Sequence, residues 1–71
     1  MNEKPIVRFR KRRNRIAVEV EAVEEHGTLV IVSGRRVTRF VRSGVDMGQC
    51  LGRRRVFVVG KDDWDARTAE P

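Results

Sequence analysis

The eight residues Arg8-Phe9-Arg10-Lys11-Arg12-Arg13-Asn14-Arg15 carry six basic side chains and one asparagine. That combination points to phosphate binding. A run of guanidinium groups grips a polyanion by releasing its condensed counterions, and each arginine can hold two phosphate oxygens through its planar fork. Asn14 adds a side chain able to hydrogen-bond a phosphate or a base edge. A second triplet, Arg53-Arg54-Arg55, follows a segment in which Gly44, Gly48 and Gly52 recur every fourth residue. Glycines let backbone N–H groups approach an anion closely. A nucleotide-binding phosphate loop, however, needs lysine and then serine or threonine after its last glycine, and here Arg53 and Arg54 occupy those places. The segment from Gly44 to Gly52 therefore reads as a loop with a basic exit.

The wider charge pattern agrees with this chemistry. Thirteen arginines outnumber three lysines in a chain of 71 residues with a net charge of +6. The bases fall in two blocks, residues 1–15 and 28–55, separated by the acidic stretch Glu19 to Glu25 and followed by an acidic C-terminal segment. A surface without a polyanionic partner usually mixes signs and uses lysine freely, whereas arginine is favoured where phosphates or carboxylates must be held in fixed geometry. Arg35, Arg36, Arg39 and Arg42 would extend the basic surface. On a strand Arg35 and Arg39 share one face with Val37, and Arg36 and Arg42 share the other.

Catalysis has little to stand on. His26 is the single histidine and lies between Glu25 and Gly27 in a turn-like segment, with no serine or cysteine at a readable spacing. Cys50 is the single cysteine, so no intrachain disulfide is expected and a reducing, cytoplasmic setting fits. Asp62, Asp63 and Asp65 read as helix-capping and solubilising charge, not as a metal cage. No enzyme activity, cofactor or metal is expected. The longest apolar runs, Leu29 to Val32 and Val56 to Val59, are far below the roughly 20 residues of a membrane span, and no signal-peptide stretch is expected at the N-terminus.

The elements that must carry these side chains read mainly as strands. Ile6 to Arg10 alternates, with Val7 and Phe9 on one face and Arg8 and Arg10 on the other. Arg15 to Val23 alternates again, placing Ile16, Val18, Val20 and Ala22 inward and Ala17, Glu19, Glu21 and Val23 outward. Lys11 to Asn14 would be the hairpin turn between them, with asparagine tolerating positive φ. Across that hairpin Glu19 and Glu21 are expected to face Arg8 and Arg10 as ion pairs. Glu24 to Gly27 would form the next turn and Thr28 to Ser33 a central, apolar strand. Residues 35–43 fit a strand or a helix, with strand favoured by their β-branched valine and threonine. Arg53 to Gly60 forms the last strand. The aromatic residues Phe9, Phe40 and Phe57 are expected inside, leaving Trp64 as a partly exposed ring or, equally, a lid folded back on the core or a protein-contact anchor.

The expected fold is mainly β: one small domain over residues 1–66, with 67–71 as a frayed acidic tail. Its architecture would be a strongly curved antiparallel sheet or partly open barrel, SH3-like or OB-like in shape, with one short helix either around 35–43 or in the C-terminal tail. The expected function is non-enzymatic binding of DNA or RNA, as in transcription regulation or RNA handling, through Arg8 to Arg15 and through Arg53, Arg54 and Arg55. The alternative partner is an acidic protein surface, such as one on RNA polymerase, met by the basic hairpin or an edge strand. No membrane partner is expected.

Overall fold

Alternation of Val7 and Phe9 with Arg8 and Arg10 produces the first strand, and the same period then runs through the chain. The computed structural model describes residues 4–69, the side chain of Phe40 excepted. The expected inward placement of that ring, and positions 70–71 of the expected tail, lie outside the described residues. Four strands form a meander: β1 (Ile6–Lys11), β2 (Asn14–His26), β3 (Leu29–Arg42) and β4 (Val45–Gly60). A five-residue helix, α1 (Lys61–Asp65), follows, and then a two-residue strand, β5 (Thr68–Ala69). The sheet is antiparallel in the order β4-β3-β2-β1-β5. No helix among the described residues is long and apolar enough to cross a membrane.

The sheet curls into a half-barrel. β1 and β4 are not ladder neighbours, yet Lys11 Nζ stands 5.9 Å from the centre of the Phe57 ring. The curl places one row of apolar side chains inside. Val7 and Phe9 pair across the ladder with Val18 and Ile16, and Val30 and Val32 pair with Val59 and Phe57. All eight are buried in one core with Val20 and Trp64. Trp64 closes the open side from α1, edge-on to Phe9 at a centroid distance of 5.5 Å and an interplanar angle of 67°. Such a ring pair adds about 1 kcal/mol beyond the area it buries. Of the placements expected for Trp64, the ring takes that of a lid on the core.

Bulges provide the bend and overturn several expectations. The β2–β3 register shifts between Val20 and Ala22, so Glu21 is the extra residue. One extra residue reverses every later side chain on its strand. Ala22 therefore pairs with outward-facing Ser33 and is exposed, not buried, while Ala17, expected on the outward face, is buried. Most of the expected third strand and of the ambiguous segment 35–43 falls in one continuous 14-residue strand, Leu29–Arg42, and of the expected loop Gly44 alone lies in a turn, while Val45 to Gly52 belongs to the 16-residue β4. Two further register shifts, between Arg35 and Val37 and between Arg39 and Val41, absorb its irregular spacing. The β2–β3 turn is Gly27-Thr28 alone, with Gly27 at φ 61°. At the C-terminal end, Gly60 is the helix N-cap without a side-chain cap bond, so neither Asp62 nor Asp63 caps. Where fraying was expected, Thr68 and Ala69 pair with Arg8 and Val7.

Two positions test this architecture. Phe9 is fully buried, and Phe9→Ala is expected to cost about 3–5 kcal/mol, enough to unfold so small a domain in a thermal melt. Gly34 lies inward opposite Val20 at the bulge, where an added Cβ would strike the Glu19 carbonyl oxygen and press on Val18 Cγ1 at 3.0 Å. Gly34→Ala should therefore lose about 3 kcal/mol. Gly52→Ala, whose Cβ would meet only the Arg36 backbone oxygen and Cβ at 3.5 and 4.0 Å, should melt like the parent. Equal melting temperatures for the two alanine variants would overturn the bulge assignment.

Candidate nucleic-acid interface

The two hairpins share a ladder only up to the pair Ala17–Val37. Beyond it the β1–β2 ladder continues to Lys11–Asn14 and the β3–β4 ladder to Arg42–Val45. They part there as two prongs of a fork. Ile16 and Arg36 stand at its root and line a hollow on each side.

The inner hollow is a groove of about 290 Å³. Its floor is Ile16 and the buried Phe57, and its rim is Lys11, Arg12, Asn14, Arg36 and Arg55. Lys11 Nζ and the Arg55 guanidinium carbon both lie over the Phe57 ring, at 5.9 and 5.4 Å from its centre. The electron-rich ring face attracts each cation by about 0.5–1 kcal/mol and so holds two like charges above one floor. No carboxylate among the described residues lines this groove. On the far side of the β1–β2 turn, Asp63 shares a separate hollow with Arg10, Lys11 and Arg12.

The first prong concentrates charge by its turn geometry. Lys11 pairs with Asn14, so the turn is Arg12-Arg13 and the positive φ falls on Arg12 at 58°, not on the asparagine. A positive φ at the first central residue alone is the pattern of a II′ hairpin turn, a place that glycine prefers. Arg10 Nε donates to the Arg12 carbonyl at 3.1 Å and braces that backbone. Arg15 donates to Thr68 Oγ1 at 3.2 Å, which ties the prong to β5. Arg8 lies opposite Ala17 and Arg10 opposite Arg15, so neither Glu19 nor Glu21 stands directly across the ladder from either arginine. Arg8 lines the outer hollow with Arg15 and Arg39.

Glu21 has other partners. Displaced by the bulge and only 15% exposed, its carboxylate meets Arg54 Nε at 2.8 Å and Lys4 Nζ at 3.2 Å. Hydrogen bonding from Lys4, partly opposed by desolvation and reinforced by the Arg54 charge, holds the Glu21 carboxyl below its ordinary value of 4.5. The second arginine triplet is therefore divided. Arg53 is exposed at the bulge, Arg54 points to Glu21 and Arg55 points into the groove. Arg36, at the root of both hollows, is the member that charge density alone did not single out. Its strand parity with Arg42 was readable, but its closeness to Lys11 and Arg12 depends on the curl.

The acidic residues gather elsewhere. Lys61 Nζ bonds Asp65 at 2.7 Å and Glu25 at 3.2 Å, and these two contacts, Asp65 first, raise its pKa above 10.5. His26 Nε2 lies 3.1 Å from Glu24 Oε2 on the exposed end of β2. Cys50 is exposed on β4. Comparison with protein-family models, with curated proteins and with solved structures finds no match.

Because the folded-state pKa of Glu21 is depressed, its stabilising contribution is complete above about pH 4.5 and is lost as pH falls through the lower folded value. Melts of the parent and of Glu21→Gln between pH 7 and pH 3 should therefore differ most near neutrality and converge in acid. A constant difference over that range would show that the carboxylate contributes by shape and not by charge.

Proposed function

We propose that this protein is a non-enzymatic nucleic-acid-binding module that grips the phosphate backbone in the fork between its two hairpins. One observation carries the reading: Lys11, Arg12, Arg36 and Arg55 ring a single groove that no carboxylate among the described residues lines. Folding drives these cations together, and an anion relieves the repulsion. Counterion release then supplies most of the binding free energy without reference to sequence. Arginine predominates because its planar fork retains orientation on a phosphate where lysine would act only as a point charge. Rings play no part as stacking platforms in this groove, since Phe57 is buried as its floor. We place the activity in the cytoplasm, in transcription regulation or RNA handling, a setting that suits the exposed thiol of Cys50.

A second reading is favoured by the sheet edge. β4 is 16 residues long and, among the described residues, pairs with β3 alone, so an acidic extended segment of a protein could add to it as a further strand.

Fluorescence anisotropy with a labelled oligonucleotide tests the leading reading. Contact with about five or six phosphates predicts roughly a thousandfold loss of affinity between ~50 and ~200 mM salt. Arg36→Ala should lower the slope of log affinity against log salt by about one. Arg12→Gly should do the same while melting at or above the parent temperature, because glycine removes a positive-φ cost of about 1 kcal/mol. A flat salt response, or Arg36→Ala binding like the parent, would overturn the assignment of the fork.

A further inference from the structure

Beyond Val37 and Leu51 the β3–β4 hairpin leaves the sheet as a two-stranded ribbon, and every described side chain from Thr38 to Gln49 is exposed. None of its described side chains joins the core, and Val41, Val45 and Met47 are 56%, 59% and 60% exposed. A bare two-stranded hairpin is marginal in water. This one is stiffened locally. Ser43 and Gly44 both take positive φ, 52° and 76°, as a type I′ turn requires. Asp46 Oδ1 accepts the Gly48 N–H at 2.9 Å, and Asp46 Oδ2 lies 3.5 Å from Arg39 Nε. Asp46 is the one acidic residue between Arg36 and Arg53, against four arginines including both ends. A braced, basic, two-sided arm with unpartnered apolar residues near its tip is built to enter something negatively charged that has an apolar interior surface.

We infer that this ribbon enters the major groove of duplex DNA, with Val45 and Met47 against base edges and Arg39 and Arg42 towards the flanking phosphates. The inference rests on the phosphate-binding reading above and narrows its partner. Paired strands lie about 4.8 Å apart, and with side chains on both faces the ribbon suits a groove about 12 Å wide, not one of about 6 Å. Its five residue steps from Val37 to Arg42 span about 17 Å, more than the roughly 8.5 Å depth of the major groove. The tip can therefore reach the bases while the fork, with Arg12 and Arg36, remains at the backbone. Thymine methyl groups give Val45 and Met47 an apolar counterpart. Duplex RNA lacks an equivalent site, because the major groove of its A-form helix is deep and too narrow for side chains to read.

The test uses the whole chain at ~50 mM salt and three probes of one sequence: duplex DNA, duplex RNA and single-stranded DNA. Duplex DNA should bind at least about tenfold more tightly than either other probe. Val45→Ser and Met47→Ser should keep the parent melting temperature, since both sites are exposed, and should each weaken duplex DNA binding about fivefold with the salt slope unchanged. DNA whose cytosines carry a bulky glucosyl group in the major groove should bind poorly, whereas netropsin, which fills the minor groove, should not compete. Equal affinity for duplex RNA or for the single strand, parent-like binding by both serine variants, or displacement by netropsin would overturn the ribbon inference and leave the phosphate-binding reading in place. Failure of all three probes to bind would overturn both, and would favour an acidic protein surface as the partner.

Discussion

A chain of 71 residues that folds almost wholly into strands can bury an apolar core only by bending its sheet back over itself, and the rest of this structure depends on that curl. A flat sheet of five strands would leave one side of Phe9, Val18 and Val32 in water, whereas these three side chains are fully buried. The curl is produced where the backbone carries an extra residue, at Glu21 on β2 and at two places on β4, since a bulge increases local twist and bends its strand. Gly34 permits the tightest of these, because only a residue without Cβ fits beneath the Glu19 carbonyl. Closure is completed by α1, held to the β2–β3 turn by a 2.9 Å bond from Lys61 N–H to the Thr28 carbonyl, which delivers Trp64 onto Phe9.

The same bend organises the electrostatics. Lys11 and Arg55 are far apart along the sheet order, one on β1 and one on β4, and meet over Phe57 only because the sheet closes. Their mutual repulsion is opposed by the apolar core beneath, by the ring face they share and by water, and it is relieved when a polyanion occupies the groove. Acidic side chains are placed to serve other purposes. Glu21 orders Arg54 and Lys4, while Glu25 and Asp65 hold Lys61 at the helix. Such exposed pairs contribute little stability each, but they leave Lys11, Arg12, Arg36 and Arg55 as the cations directed at the groove.

The β2–β3 ladder stops at Ala17 and Val37 although both strands continue, and the two hairpins also differ in length beyond that point. β2 reaches its turn at Asn14, whereas β3 runs on to Arg42 before turning back. The longer hairpin must then project without a neighbouring strand. Projection exposes its valines and Met47, a state that would favour aggregation in an uncharged arm. Its arginines oppose this by keeping copies of the chain apart, and in the proposed complex they become phosphate contacts.

Much of this was determined by the amino-acid sequence alone. Period-two alternation through Val7-Arg8-Phe9-Arg10 and Ile16 to Val20 dictates strands with an apolar and a charged face, because successive side chains in a strand point to opposite sides. The density of arginine around Arg12 dictates a positive tip wherever the turn falls. Tertiary structure decided the rest. Bulges carry no strong local signature, so the reversal at Glu21 that exposes Ala22 and sends a carboxylate to Arg54 could not be read from alternation. The glycines at 44, 48 and 52 look like a loop, yet only Gly44 lies in a turn and pairing with β3 recruits Gly48 and Gly52 into a strand, since ladder hydrogen bonds outweigh a weak local preference. Which arginines share a ligand was likewise decided by closure of the sheet: Arg36 and Arg55 join Lys11 and Arg12 because a curled sheet brings together side chains that are distant along the chain.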